Sequence, residues 1–353
     1  MRKIYIENVK GTEKVAKPIL DAEGRILLAK GMPLRLHYIS KLKEMGVVSL
    51  YIEDQFSEGI EPESSLSELV FEKSKNQIKN IIKSTKQSKE IDTEEIGNVV
   101  EQIMDELLYE EDVLIHAGDI LFYDEYTYAH SIHVCVLSII MGKALGYSIP
   151  RIKELAIGAL LHDLGKIFVP EEILNKPDKL TTEEFRKIQL HPQDGYQVLR
   201  PFREISGLSK LIVLGHHEKI DGTGYPAGLK GDQIHEAVRL VSICDVFASM
   251  TSDRVYRKKI KTYEVIEYLI AMSGQAFDAS LVSAFIDHIV IYPTGQGVLL
   301  NTGEKGIVVK QNRHMTSRPI VRIFWNAKGE KISPYEIDMT KETTIFIIDQ
   351  VDL

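Results

Sequence analysis

Cysteine is almost missing from this chain of 353 residues: Cys135 and Cys244 are the whole supply. Both lie in apolar runs, so they read as small buried hydrophobes rather than as a disulfide, and a bridge-stapled secreted scaffold is excluded. Also missing is any run near the ~18 apolar residues that a membrane-spanning helix needs. The N-terminal stretch MRKIYIENVKGTEK lacks the apolar centre of a secretion signal, and a cytoplasmic protein is expected. Positive charge is in deficit: 43 Lys and Arg against 51 Asp and Glu leave a net charge of −8. That is the wrong sign for duplex nucleic acid as a main partner, and an anionic substrate would need a local basic pocket. No internal repeat or long low-complexity tract stands out. What remains, 44% hydrophobic and 27% charged, is ordinary globular composition, and the length allows two or three domains.

The texture changes three times along the chain. Residues 1–55 alternate short β-type runs, KIYIENV, RILLAKG and VVSLYIE, with a turn at DAEG and one amphipathic stretch, LHYISKLKEMG, stopped by Gly46, which predicts a small α+β module. Residues 56–112 hold two charged helix-periodic segments, about Ser65–Gln87 and Thr93–Tyr109. They are expected to form a connector whose exposed faces suit packing, a homodimer or a signalling-protein partner. From 113 to 290 the runs become long, apolar and helical, with start signals at Ser148–Ile149–Pro150 and in the capping box Thr181–Glu184. Residues 291–353 return to strands, GVLL, KGIVVKQ, PIVRIFW and TTIFIID, punctuated by NTGEKG and NAKGEK, which predicts a small β-barrel or sandwich.

All the reactive residues sit in the helical region. Read as one helix from Pro150, PRIKELAIGALLHDLGK puts His162 and Asp163 at the edges of an apolar stripe of Ile152, Leu155, Ala156 and Ala159, and brings Lys166 to the same face if the helix continues past Gly165. His130 shares a helix face with Val134, Leu137 and Met141, while Asp245 interrupts the apolar run LVSICDVFASM with no basic residue four positions away. A buried carboxylate without a partner is costly, so something positive should meet it. Five histidines (His130, His162, His191, His216, His217) and two aspartates (Asp163, Asp245) thus end or interrupt apolar stretches. Imidazole and carboxylate without thiolate suit Mn, Fe, Co or Zn. Seven such groups exceed one tetrahedral site and match two cations ~3.5–4 Å apart, an arrangement that serves in-line displacement at phosphorus.

Together HDLGK, HHEKIDGTGYP and DVFASMTSDRVYR resemble the HD-GYP subgroup of HD-domain phosphohydrolases, over about half of the chain. The resemblance implies a mainly α-helical HD-domain core that hydrolyses cyclic di-GMP to linear pGpG or GMP, by attack of a metal-bridging hydroxide. It implies two divalent transition ions, Fe or Mn first, Co or Zn as alternatives, held by His130, His162, Asp163, His191, His216, His217 and Asp245, with Asp163 as the bridge. Lys166 would neutralise the scissile phosphate. Gly224, Tyr225 and Pro226 would flank the substrate, and Arg254 and Arg257 would contact its phosphates.

The chain departs from the family pattern at three points. Tyr126 stands where three-metal members carry a glutamate, hence the expectation of two ions; Ala248 replaces a second aspartate; and Ile220 replaces a residue often aromatic. Rival readings are a phosphodiesterase for another cyclic dinucleotide such as cyclic GMP-AMP, and a catalytically silent receptor or adaptor. His133 is read as a surface group or one just behind the ligands, and His235 as a solvated loop residue.

Overall fold

The computed structural model describes the chain except residues 21–25, 46, 48, 62–64, 89, 109–113, 117–125, 177, 253–259 and 313–314. The DAEG turn, the helix stop at Gly46 and the pair Arg254 and Arg257 therefore lie outside the described residues. Near the N-terminus, β1 (Arg2–Tyr5), β2 (Lys14–Val15) and β5 (Ser49–Glu53) form an antiparallel sheet in the order β1-β5-β2. A hairpin of β3 (Ile19–Leu20) and β4 (Ile26–Leu28) and the helix α1 (Leu36–Glu44) accompany it. Val15, Leu34, Ile39, Leu42 and Ile52 close a local core.

The helical region begins with α2 (Glu68–Ser88) and α3 (Thr93–Leu108), the two periodic segments expected from sequence. It continues through α4 (Tyr126–Ala144), α5 (Ile149–Leu161), α6 (Glu171–Leu174), α7 (Thr182–Ile188), α8 (His191–Leu199), α9 (Gly207–Gly215), α10 (Glu236–Thr251), α11 (Thr262–Ala271) and α12 (Ala279–His288). Every residue from 129 to 142 is buried, so α4 is an axle rather than an amphipathic surface helix. Helices α2, α3, α5, α10 and α12 all pack on it, and each fully buried Leu or Ile there adds roughly 1.5–3 kcal/mol by leaving water. A short parallel pair, β6 (Ile115–His116) with β7 (Ile289–Val290), joins the two ends of this region. The α7 start is as expected: the Thr181 side chain accepts from Glu184 N, and Glu184 accepts from Thr181 N.

Two expectations need correction here. The helix that carries His162 does not run on to Lys166: α5 ends at Leu161, and a 3₁₀ turn follows over Leu164–Phe168. A Cβ on Gly165 would lie 1.9 Å from the His191 carbonyl oxygen, so α8 lies directly on this turn and no side chain fits between them. The C-terminal strands β8 (Gly297–Leu300), β9 (Lys305–Lys310), β10 (Ile320–Trp325), β11 (Lys331–Asp338) and β12 (Ile347–Gln350) form one antiparallel sheet in the order β11-β10-β9-β8-β12, so the all-β module is as expected, and of the two forms expected for it, barrel or sandwich, the two-sheet sandwich is the one overturned. Strand β11 was not expected, because Pro334 interrupts it; at the sheet edge a missing N–H is tolerated.

The two terminal regions meet. Phe56 and Ile60 pack with Ile307, Phe324 and Trp325, and the Arg2 guanidinium donates to Asp54 and to the Leu353 carbonyl. Among the described residues no helix is long and apolar enough to cross a membrane.

Candidate metal centre

The seven expected donors converge. His130 comes from the middle of α4, His162 and Asp163 from the end of α5, His191 from the first residue of α8, His216 and His217 from just past α9, and Asp245 from the middle of α10. Three of the imidazoles use the same local device. His162 Nδ1 lies 2.8 Å from Ala159 O, His191 Nδ1 2.7 Å from Ile188 O, and His216 Nδ1 2.9 Å from Val213 O. These carbonyls belong to the last turns of α5, α7 and α9, where no backbone donor is left for them. A carbonyl only accepts, so Nδ1 carries the proton, and each Nε2 is a lone pair aimed into the cluster.

Asp163 sits between two sets of imidazole nitrogens. Its Oδ1 is 3.3 Å from His191 Nε2 and 4.0 Å from His216 Nε2. Its Oδ2 is 3.4 Å from His162 Nε2 and 3.9 Å from His130 Nε2. One group that could hold a cation is Asp163, His191, His216 and His217; a second is His130, His162 and Asp245. His191 Nε2 and His216 Nε2 stand 3.1 Å apart. With both Nδ1 atoms protonated, that pair is repulsive unless a cation lies against it. His162 Nε2 is buried and has no hydrogen-bond partner. The donor set therefore fits divalent metal.

The electrostatics divide these groups. At His162 burial works to lower the imidazole and is overcome by the charge of Asp163, so it is raised, whereas His217, His216 and the two aspartates are held in their ligating forms. Burial pushes the His217 imidazole down to about 3, and burial followed by the neighbouring His217, His162 and His191 pushes His216 well below the usual range. Burial works to raise both carboxyls. It is overcome at Asp163 by His162 and Lys166, and at Asp245 by the hydrogen bond to His130 and the nearby imidazoles, so both are held low. The partner that Asp245 required is His130, whose Nε2 lies 2.9 Å from Asp245 Oδ1.

The remaining sequence candidates divide. Lys166 Nζ donates to Asp163 Oδ2 at 2.6 Å, so the lysine reaches the aspartate that faces both sets of imidazoles. The Tyr225 ring lies over His217, centroids 4.7 Å apart and tilted by 32°, and burial followed by the charges of Asp163 and Asp245 raises its phenol. Gly224 lies so close to the backbone of 217–219 that a Cβ would fall 2.4 Å from Lys219 N. Pro226 follows in the same half-buried loop. Ala248 is fully buried in the apolar core. His133 is not a surface residue: it is buried and its ring stacks on Phe71 at 5.0 Å. His235 is exposed as expected, but it also caps α10 by accepting from Ala237 N. Sequence reasoning passed over Glu218, a buried carboxylate directly after the paired histidines.

Comparison with known proteins identifies the family. An HD domain family matches residues 123–281, and a KOW domain associated with HD domain matches residues 297–353. A cyclic di-GMP phosphodiesterase of Pseudomonas aeruginosa is 35% identical over 278 residues, covering 79% of this chain and 67% of that protein. A 3'3'-cGAMP-specific phosphodiesterase of Vibrio cholerae is 38% identical over 129 residues, 36% of this chain and 25% of that protein. Among solved structures, an HDGYP protein from Bdellovibrio bacteriovorus superposes with a TM-score of 0.52 at 16% identity, covering 81% of this chain and 98% of that one, a likeness of fold. Fold and centre define an HD-domain phosphohydrolase, a class that binds divalent metal through histidines and aspartates. Within that class the chain belongs to the HD-GYP family, the type of the cyclic di-GMP phosphodiesterases.

Proposed function

We propose that this chain hydrolyses cyclic di-GMP to linear pGpG or GMP at a centre of two divalent transition ions, Fe or Mn before Co or Zn. One observation carries the reading: the two oxygens of Asp163 face two separate sets of imidazole nitrogens. When bound, such ions supply Lewis acidity at a phosphodiester and make water a nucleophile near neutral pH.

The chain's own residues do the rest. His191, His216 and His217 would hold one ion, and His130, His162 and Asp245 the other, with Asp163 shared. The Nδ1–carbonyl bonds fix ring orientation before any ion arrives, which lowers the cost of assembling the site. Among the described residues Lys166 is a basic side chain that reaches the centre, and it would turn its charge from Asp163 to the scissile phosphate. Tyr225, held over His217, offers an aromatic face to a guanine. Arg254 and Arg257 are assigned to the substrate phosphates from sequence alone. The domain assignment proposed with this is 1–55 as a regulatory module, 56–112 as a helical connector able to meet a second copy or a signalling protein, 113–290 as the phosphodiesterase domain and 291–353 as a β module. A cytoplasmic site of action follows from the proposed substrate.

The test is anaerobic purification, metal quantification, and product chromatography with cyclic di-GMP and 3'3'-cGAMP side by side. Two metals per chain with faster turnover of cyclic di-GMP support the reading. Preference for 3'3'-cGAMP reassigns the substrate, and binding without product makes the chain a receptor.

A further inference from the structure

Glu218 is buried, and its carboxylate takes three backbone N–H groups from the far limb of the glycine loop. Ala227 N donates to Oε1 at 2.7 Å, Gly228 N to Oε1 at 3.2 Å, and Leu229 N to Oε2 at 2.9 Å. No ion pair of Glu218 is present among the described residues; these amide dipoles balance its charge instead. The near limb is tied to the same place, since Tyr225 N donates to His217 O at 3.2 Å and Gly224 rests on the backbone of 217–219. Gly222 and Gly228 bracket the loop with φ of +83° and +65°, conformations that glycine adopts readily. The loop is thus sewn to the segment bearing His216 and His217 by one carboxylate and one carbonyl.

We propose that Glu218 is a positioning residue: it holds the 222–229 loop in place so that Tyr225 is already seated over His217 when a cyclic dinucleotide arrives. This rests on the reading of the site under Proposed function. A carboxylate suits the task because it is acceptor-only at both oxygens, whereas an amide would turn an NH2 group toward one of the donating N–H groups. Among the described residues its carboxylate hydrogen bonds run to 227–229 and to no expected ligand, so its effect should fall on substrate binding and not on the chemical step.

The experiment uses the full chain as wild type, Glu218→Gln and Glu218→Ala. Metal content is measured on each, then KM and kcat for cyclic di-GMP with Mn²⁺, then hydrogen exchange of the 227–229 amides in metal-free protein. The expected result is wild-type metal content, a KM raised about tenfold in Glu218→Gln, equivalent to about 1.4 kcal/mol, with more in Glu218→Ala, a kcat altered by less than about threefold, and faster amide exchange in both variants. Glu218→Gln keeps the side-chain volume and so reports even if the alanine variant does not fold. KM and exchange rates both at wild-type values would overturn the proposal. So would a fall in metal content and kcat at constant KM, which would place the effect of Glu218 on the ligands. If wild type itself turns over no cyclic di-GMP, the functional reading fails on its own, and the clamp is then judged by amide exchange alone.

Discussion

Replacing Gly165 by alanine tests the link between packing and chemistry most directly. The added methyl would fall 1.9 Å from His191 O, 2.6 Å from Gly195 N and 2.8 Å from the His191 carbonyl carbon, all backbone atoms of α8. To restore the 3.4 Å of ordinary contact, the start of α8 must retreat about 1.5 Å from the turn at Leu164–Phe168. Overpacking of this kind costs roughly 1–3 kcal/mol, which a domain of this size survives. The metal centre should not. His191 is the first residue of α8 and now stands 3.3 Å from Asp163 Oδ1, while metal–ligand distances tolerate only about ±0.2 Å. The expected result is a folded protein by circular dichroism, with less than half the wild-type metal and turnover down by about 100-fold, the usual scale for a misplacement near 1 Å. Gly97→Ala is the control. Inside α3, its Cβ would meet nothing within 4 Å, so it should keep full metal content and gain about 0.5–1 kcal/mol of stability. If Gly165→Ala binds two metals and turns over like wild type, the helix contact does not set the position of His191 and the reasoning is refuted.

Three further outcomes are expected. Asp163→Asn keeps the shape of the residue whose two oxygens face both donor groups but removes its charge, so metal content should fall below one per chain and turnover by at least about 10³-fold, an effect of several kcal/mol; retained stoichiometry by mass spectrometry would contradict the proposed shared role. Gly158→Ala would set a methyl 2.8 Å from Ile212 Cδ1, between α5 and α9, at a cost of roughly 1–3 kcal/mol. Combined with Ile212→Ala in chemical denaturation, the two losses should be less than additive, and strict additivity would rule out the clash. The Glu184 carboxyl is pulled to about 2 by the Lys176 hydrogen bond and then by the Thr181 backbone amide, below its ordinary value of 4.5. Its folded value is depressed, so its contribution is present above pH 4.5 and lost as pH falls through about 2. Amide exchange in α7 should accelerate over that window, and Lys176→Met should weaken the dependence.

The donor residues were legible in the sequence, whereas parts of the frame that positions them were not, and the difference is physical. A histidine or aspartate that ends or interrupts an apolar run advertises itself, because burying it needs a partner; His130 and Asp245 were flagged on that ground, and each proved to hold the other. The end of α5 at Leu161 was missed because it follows from the approach of α8 to Gly165, a contact between segments about 26 residues apart that no periodicity encodes. Strand β11 was missed because Pro334 and a mostly exposed face remove both strand signals, which an edge strand can afford to lose. Glu218 left no signal, since its partners are backbone amides, and every residue but proline has one.

The placement of the imidazoles joins the two levels. His162, His191 and His216 each spend Nδ1 on a helix-terminal carbonyl and present Nε2 to the centre. One side chain therefore ends a helix and offers a ligand, so the point where the backbone runs out of donors is also the point where the site gains a lone pair. Glutamine at these positions can still cap the carbonyl through its amide, yet offers no imidazole nitrogen. Histidine meets both demands at once, which is why these three donors lie where α5, α7 and α9 stop, and why the fold brings three helix ends to a single point.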